Sequence, residues 1–161
     1  MTTTTRETKI EVDPKVPIVR TTREFDFPAE AVFRAHADPD VFTQWIGPPE
    51  SVARFETFDF RSGGSFRLGH TVGSEVFWLR GCFHDVRDGE LIVQTFTFEG
   101  EPDAVSLERI TFEDIGDGRS RLTTSSLIDS FEARDAIVAG HMDEGAVGDG
   151  YERLDQLLAA G

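Results

Sequence analysis

The sequence predicts an α+β fold: a strongly curved antiparallel sheet of about seven strands around a long C-terminal helix, with two short helices after strand one. Three observations carry this prediction. Short runs of alternating apolar and polar residues recur between turn residues. A proline-free stretch from Phe131 to Ala160 repeats its apolar residues at helical intervals, and two helical runs with start signals stand between the first strand and the rest. A sheet with one apolar face needs a cover, and the C-terminal helix, roughly 40 Å long at 1.5 Å per residue, is the element long enough to supply it.

Each element follows in order. Residues 1–16 are Thr-rich and charged. They lack the apolar surface that would offset the entropy of ordering them, so they are expected to form a flexible arm, leaving 17–161 as one domain. The run IVRTTREFDF alternates as a strand does. Pro28 then suits a first helical turn, and AEAVFRAHA places Val32, Ala35 and His36 at helical spacing. Asp38 and Pro39 restart the pattern as cap and first-turn residue, with Val41, Phe42 and Trp45 on one side until Gly47, Pro48 and Pro49 end it. Six strand-like runs follow: SVARFETFDF, SFRLGH, EVFWLRGCFHDV, ELIVQTFTFE, VSLERITFEDI and RSRLTTSSLI. They are separated by Ser62, Gly63 and Gly64, by Gly73, by Asp88 and Gly89, by Gly100 to Asp103, and by Asp117 and Gly118, so short hairpin-linked strands are expected. The last helix carries Ile137, Gly140, Val147, Tyr151, Leu154 and Leu158 as its apolar stripe.

Composition narrows the function classes. The chain has 161 residues, and a single cysteine, Cys82, excludes an intrachain disulfide and points to a reducing, cytoplasmic setting. No window approaches the roughly 20 apolar residues of a membrane helix, and no targeting segment is seen, so membrane insertion is not expected. Thirty acidic against 16 basic residues give a net charge of -14, which repels phosphate backbones and anionic lipid, so no nucleic-acid partner is expected. The basic groups concentrate early: residues 1–23 hold five basic and three acidic side chains, residues 24–130 nine and 20. Fourteen of the aromatic residues are Phe against two Trp and one Tyr, hydrocarbon that either fills a core or lines a hollow.

Three segments, FPAEAVFRAHADPDVFTQWIGPPE, FDFRSGGSFRLG and HMDEGAVGDGYERLDQLLA, resemble in sequence, order and separation the activator of heat-shock protein 90 ATPase homologue-like branch of the START-like (SRPBCC, Bet v 1-like) superfamily. The resemblance implies a helix-grip fold with a cavity between sheet and C-terminal helix. It leaves function open, because that scaffold hosts lipid binders, cyclases, plant stress proteins and co-chaperone domains.

The residues themselves suggest where ligand chemistry would sit. Trp45, at the end of its helix, either lies across the opening between helix and sheet or plugs the core. Gly63 and Gly64 form a turn from which Phe66 leaves inward, and no P-loop lysine or helix start supports a phosphate cradle there. Glycines at 140, 145, 148 and 150 interrupt the last helix. Each costs about 1 kcal/mol against Ala, so either close packing or a deliberate hollow must explain them. Glu144 falls on the apolar stripe, where a buried carboxylate needs a partner or a ligand. Strand parity places Ser106 and Glu108 with Ile110 and Phe112 inward, and Gln94 with Ile92, Phe96 and Phe98. In EVFWLRGCFHDV it sets Phe77, Leu79 and Phe83 against Trp78, Arg80, Cys82 and His84; the phenylalanines are placed inside, and a bulge near Gly81 would reverse part of that assignment.

The expected ligand-binding residues are therefore Trp45, Phe66, Phe77, Phe83, Gln94, Phe96, Glu108, Glu144 and Tyr151. Together they describe a phenylalanine-walled hollow suited to a small hydrophobic molecule, a lipid or aromatic metabolite, with one or two polar groups. No cofactor is expected. His141 and Glu144 have helical i, i+3 spacing but no third ligand for a metal, and His36, His70 and His84 read as ordinary, partly exposed residues. No catalytic residues are assigned. Glu108 and Glu144 could serve as acid and base in a cyclase- or dehydratase-like reaction, or be satisfied by hydroxyls and by arginines such as Arg80 and Arg109. A homodimer is compatible with this reading. The resemblance also offers a chaperone as partner, although the eponymous proteins carry an added N-terminal chaperone-binding domain for which this chain has no room.

Overall fold

The computed structural model describes residues 7–141 and 144–161, the side chains of 140–147 excepted. In chain order the elements are β1 (Lys9–Val12), β2 (Ile18–Phe25), α1 (Ala29–Ala37), α2 (Pro39–Trp45), β3 (Val52–Phe58), β4 (Ser65–Val72), β5 (Glu75–Arg87), β6 (Leu91–Phe98), β7 (Ser106–Gly116), β8 (Arg119–Leu127), α3 (Phe131–His141) and α4 (Glu144–Ala160). Among the described residues the strands form one eight-stranded antiparallel sheet in the order β1-β2-β8-β7-β6-β5-β4-β3. The connection from β2 to β3 crosses the sheet and carries α1 and α2, which pack on β7, β8 and β3 and meet α4.

One element differs from the sequence expectation. Residues 9–12 belong to the expected flexible arm, yet they form β1 at the sheet edge, in register with β2 from Lys9↔Thr22 to Val12↔Val19. Backbone ladder bonds rather than apolar burial hold this strand, since three of its four residues are exposed, and composition cannot report such bonds. The following turn is also anchored. Asp13 accepts hydrogen bonds from the Lys15 and Val16 amides and from Arg20, and the Arg134 guanidinium of α3 donates to the Asp13 and Val16 carbonyls. The single C-terminal helix expected over 131–160 is described as two helical segments, α3 and α4, with residues 142–143 outside the described residues.

Local chemistry explains most boundaries. The Asp38 carboxylate accepts from the Asp40 amide at 2.9 Å, and Pro39 stands in the first turn of α2. The start of α1 is capped across the fold, where the Ala29 amide donates to Asp114 of β7 at 2.8 Å. The turn before β4 uses Gly63 at φ +87°, and a Cβ on Gly64 would fall 1.9 Å from the Asp59 carbonyl oxygen. Gly81 does not mark a bulge. It lies opposite Phe66, where a Cβ would strike that ring and the Thr95 carbonyl; the β5 irregularity falls between Phe83 and Asp85.

The sheet's inner face runs through Val19, Thr21, Arg23 and Phe25 of β2, Leu122, Thr124 and Ser126 of β8, Glu108, Ile110 and Phe112 of β7, and Ile92, Gln94 and Phe96 of β6, as the cross-strand registers require. One end of this face is sealed. Phe25, Ile92, Ile110, Phe112 and Leu122 are buried there under Val32 and Phe33 of α1, Trp45 of α2, and Tyr151 and Leu154 of α4. Phe33 and Phe112 meet edge to face at 5.1 Å, as do His36 and Phe112 at 5.0 Å.

Candidate functional site

The predicted residues separate into three groups. Trp45 belongs to the sealed end: it is 3% exposed, its indole N–H donates to the Ala35 carbonyl at 3.1 Å, and it packs on His36, Phe42 and Tyr151. Of the two readings offered for it, core plug describes its position. Phe66 and Phe83 are also buried, 5.4 Å apart, in an aromatic cluster with Phe58 and Phe60 that closes the β3–β5 side of the sheet. Phe77 shares the inner face but lies beyond the cover, 40% exposed and in contact with Phe98 at 6.3 Å; parity set its direction and could not show that nothing packs over it.

Gln94, Phe96 and Glu108 form the third group, and here the geometry differs. All three are half-buried on the inner face of β6 and β7, with Leu79, Phe98 and Ser106 half-buried around them. The flanks are closed, by Leu68 and His70 of β4 on one side and by Val19, Thr21 and Ser126 on the other. The Gln94 amide donates to one Glu108 carboxylate oxygen at 3.0 Å, and the Ser126 hydroxyl donates to the other at 3.3 Å. Surrounding protein desolvates Glu108 and pushes its carboxyl above the usual range, against the pull of these two hydrogen bonds. Tyr151 reaches the same region from α4. It hydrogen-bonds Thr124, and burial raises its phenol pKa, with the Glu108 charge adding to the shift.

Glu144 lies on α4, but its side chain is outside the described residues, as are those of Gly140, His141, Gly145 and Val147, so the proposed second carboxylate has no described geometry. Of the arginines offered as partners for Glu108, Arg80 and Arg109 are exposed and project from the opposite face; Gln94 and Ser126 take their place. Gly150 has a packing reason, since a Cβ there would approach the Trp45 carbonyl at 3.3 Å; its close contact is with the end of α2 rather than with the sheet.

Three buried groups were missed or misjudged. Arg23, 1% exposed, projects inward from β2 and pairs with Asp155 of α4 at 3.0 Å. The signal was present, because Arg23 shares parity with Thr21 and Phe25, and Asp155 adjoins Leu154 on the apolar stripe. His36 and His70, read as partly exposed, are 7% and 8% exposed. His36 hydrogen-bonds the Val32 carbonyl through Nδ1 at 2.9 Å, and burial lowers its pKa to about 4. Among the described residues no group of three or more His, Cys, Asp or Glu side chains converges as metal ligands would, and no helix is long and apolar enough to cross a membrane.

Two surface depressions are lined by other residues. One of about 340 Å³ lies between α2 and β3, bordered by Pro39, Thr43, Ala53, Arg54 and Phe55. The other, about 390 Å³, is bordered by Pro17, Val105, Leu107, Leu127 and Ile128. Neither contains a predicted site residue.

A curved antiparallel sheet with a cross-sheet helical pair after its second strand and a C-terminal helix against its inner face defines the helix-grip, START-like class of α+β proteins. Within that class the chain belongs to the Activator of Hsp90 ATPase homolog 1-like family, whose model matches residues 26–159. Solved structures agree on the fold. The chain is similar to an Arthrobacter aurescens protein, with TM-score 0.84 and 22% identity over 95% of this chain and 92% of that one. Protein Ms6760 from Mycobacterium smegmatis matches with TM-score 0.83 and 25% identity over 96% and 98%. A Rhodobacter sphaeroides protein matches with TM-score 0.83 and 21% identity over 94% and 98%. No curated protein matches the sequence.

Proposed function

We propose that this protein is a non-enzymatic carrier or sensor of a small hydrophobic molecule, held between the inner face of the sheet and the C-terminal helix. One observation supports this reading most. Glu108 is desolvated by surrounding protein, yet it and its neighbours Gln94 and Phe96 retain accessible surface. A carboxyl that protein desolvates but does not fully cover is what the wall of a ligand hollow would present. Phe96, Phe98 and Leu79 supply apolar wall, while Glu108, Gln94 and Ser106 supply the few polar groups that orient a ligand.

Native mass spectrometry of freshly purified protein, with a thermal-shift screen of uncharged apolar and aromatic compounds, tests the reading. A non-covalent adduct, or a compound that raises Tm in the native protein and loses that effect on Phe96→Trp filling of the hollow, is expected. Absence of both overturns it. The family's name refers to activation of the Hsp90 ATPase, so a chaperone ATPase assay with added protein is the companion measurement; unchanged turnover is expected, and stimulation would favour the co-chaperone reading.

A further inference from the structure

Resting on that reading, we infer that the hollow selects a ligand whose polar end is a protonated amine, docked on Glu108, and rejects ligands that end in a carboxylate. Charge complementarity at a single place sets this selectivity. Among the described residues, the groups facing Glu108 are the Gln94 amide on β6, the Ser126 hydroxyl on β8 and, from α4, the Tyr151 phenol, and none of these carries a positive charge. Arg23, which projects inward from β2, is committed to Asp155 at 3.0 Å and to the Glu24 carbonyl at 2.7 Å. Among the described residues, a fatty acid or aryl carboxylate entering this space would meet a like charge and no counter-ion, whereas an ammonium would meet a carboxylate that is already desolvated.

The donor arrangement around Glu108 points the same way. Gln94 and Ser126 each occupy one carboxylate oxygen with one hydrogen bond. A carboxylate accepts about four hydrogen bonds, so acceptor capacity remains for the donors of a ligand. Phe96, half-buried on the same face and two residues from Gln94, gives an aryl or alkyl tail its contact. Both an ammonium and an alcohol can donate to a desolvated carboxylate, but only the ammonium brings an opposite charge to the hydrogen bond.

Three probes of matched shape test the inference: 4-phenylbutylamine, 4-phenylbutanol and 4-phenylbutyrate, titrated by calorimetry into the full chain at pH 7.5. The expected order of affinity is amine, then alcohol, then carboxylate, with about tenfold between the first two, the gain from pairing opposite charges. Because a chain of net charge -14 attracts any cation, two variants separate the site from the surface. Glu108→Gln is expected to remove the amine's advantage over the alcohol. Glu113→Gln, on the opposite face of the same strand and 67% exposed, is expected to leave that advantage intact. Carboxylate binding as tight as the amine, or amine binding unchanged in Glu108→Gln, overturns the inference and leaves the carrier reading standing, since ligands still bind. No binding of any probe to the unmodified chain overturns both. The three-probe order on the unmodified chain decides the matter even if a variant fails to fold.

Discussion

The inner face of the sheet has two ends built by the same strands with the same alternation, and they end up in different states. At the sealed end, Phe25, Phe112 and Leu122 are 0%, 6% and 2% exposed beneath α1, α2 and α4. Further along this face, Phe96 lies four residues from the buried Ile92 and Glu108 four from Phe112, and both remain half-buried, as does Thr124 two residues from Leu122. The strands distinguish the ends in part, since the sealed end presents Phe25, Ile92, Ile110, Phe112 and Leu122 while the accessible end sets the polar Gln94, Ser106, Glu108 and Thr124 beside Phe96 and Phe98. The cover completes the difference. The cross-sheet pair α1 and α2 places Phe33, His36 and Trp45 over one end only.

That comparison can be broken by mutation. The largest effects belong to the sealed end. Phe33→Ala removes a ring packed on Phe60 and Phe112 and is expected to cost about 3–5 kcal/mol in urea unfolding. Asp155→Ala, which strips a buried arginine of its nearest carboxylate, is expected to cost a similar amount, about 3 kcal/mol or more. A small loss at either position would mean that the sealed end is looser than its packing implies.

Next in size is a pH effect at the same end. Because burial holds His36 neutral down to about pH 4, while the unfolded chain binds that proton near 6.5, the unfolded state carries more protons between those values. Stability must therefore fall as pH drops from 6.5 towards 4. The shift amounts to about 3 kcal/mol, and a His36→Gln variant should show a correspondingly flatter pH profile.

Smaller effects sharpen the other side of the comparison. Phe98→Ala at the open end is expected to cost only about 1 kcal/mol, because part of its ring is already exposed. Glu108→Gln should have the opposite sign. The folded-state carboxyl keeps its proton to higher pH than the unfolded chain, whose value is 4.5, so wild-type stability falls as pH rises from there through the raised value. The glutamine variant is then expected to be the more stable protein at pH 8, with the gap closing near pH 4. A destabilised variant at pH 8 would mean that the ionised carboxylate contributes to folding.

Much of the site was legible, for reasons particular to its residues. Period-two alternation is a local property, so the inward direction of Gln94, Phe96, Glu108 and Phe77 could be read from their neighbours. Arg23 and Asp155 obey the same rules and were legible in principle, each an isolated charge at a buried position. Trp45 was not decided, because its helix could have placed the indole over either end. The burial of His36 and His70 was hidden too, since it depends on Phe112, Trp45 and the Gly47 loop, which are distant in sequence. The edge strand β1 escaped because backbone pairing leaves no side-chain pattern.

The sequence by itself determined the order of elements, the two faces of each strand, the turns at Gly63, Gly89 and Gly118, and an excess of acidic charge, all consequences of local periodicity, local stereochemistry and counting. Tertiary structure alone decided which inward residues were sealed and which were left accessible. That outcome rests on where α1, α2 and α4 land on the sheet, and burial is a property of the covering element as much as of the residue it covers.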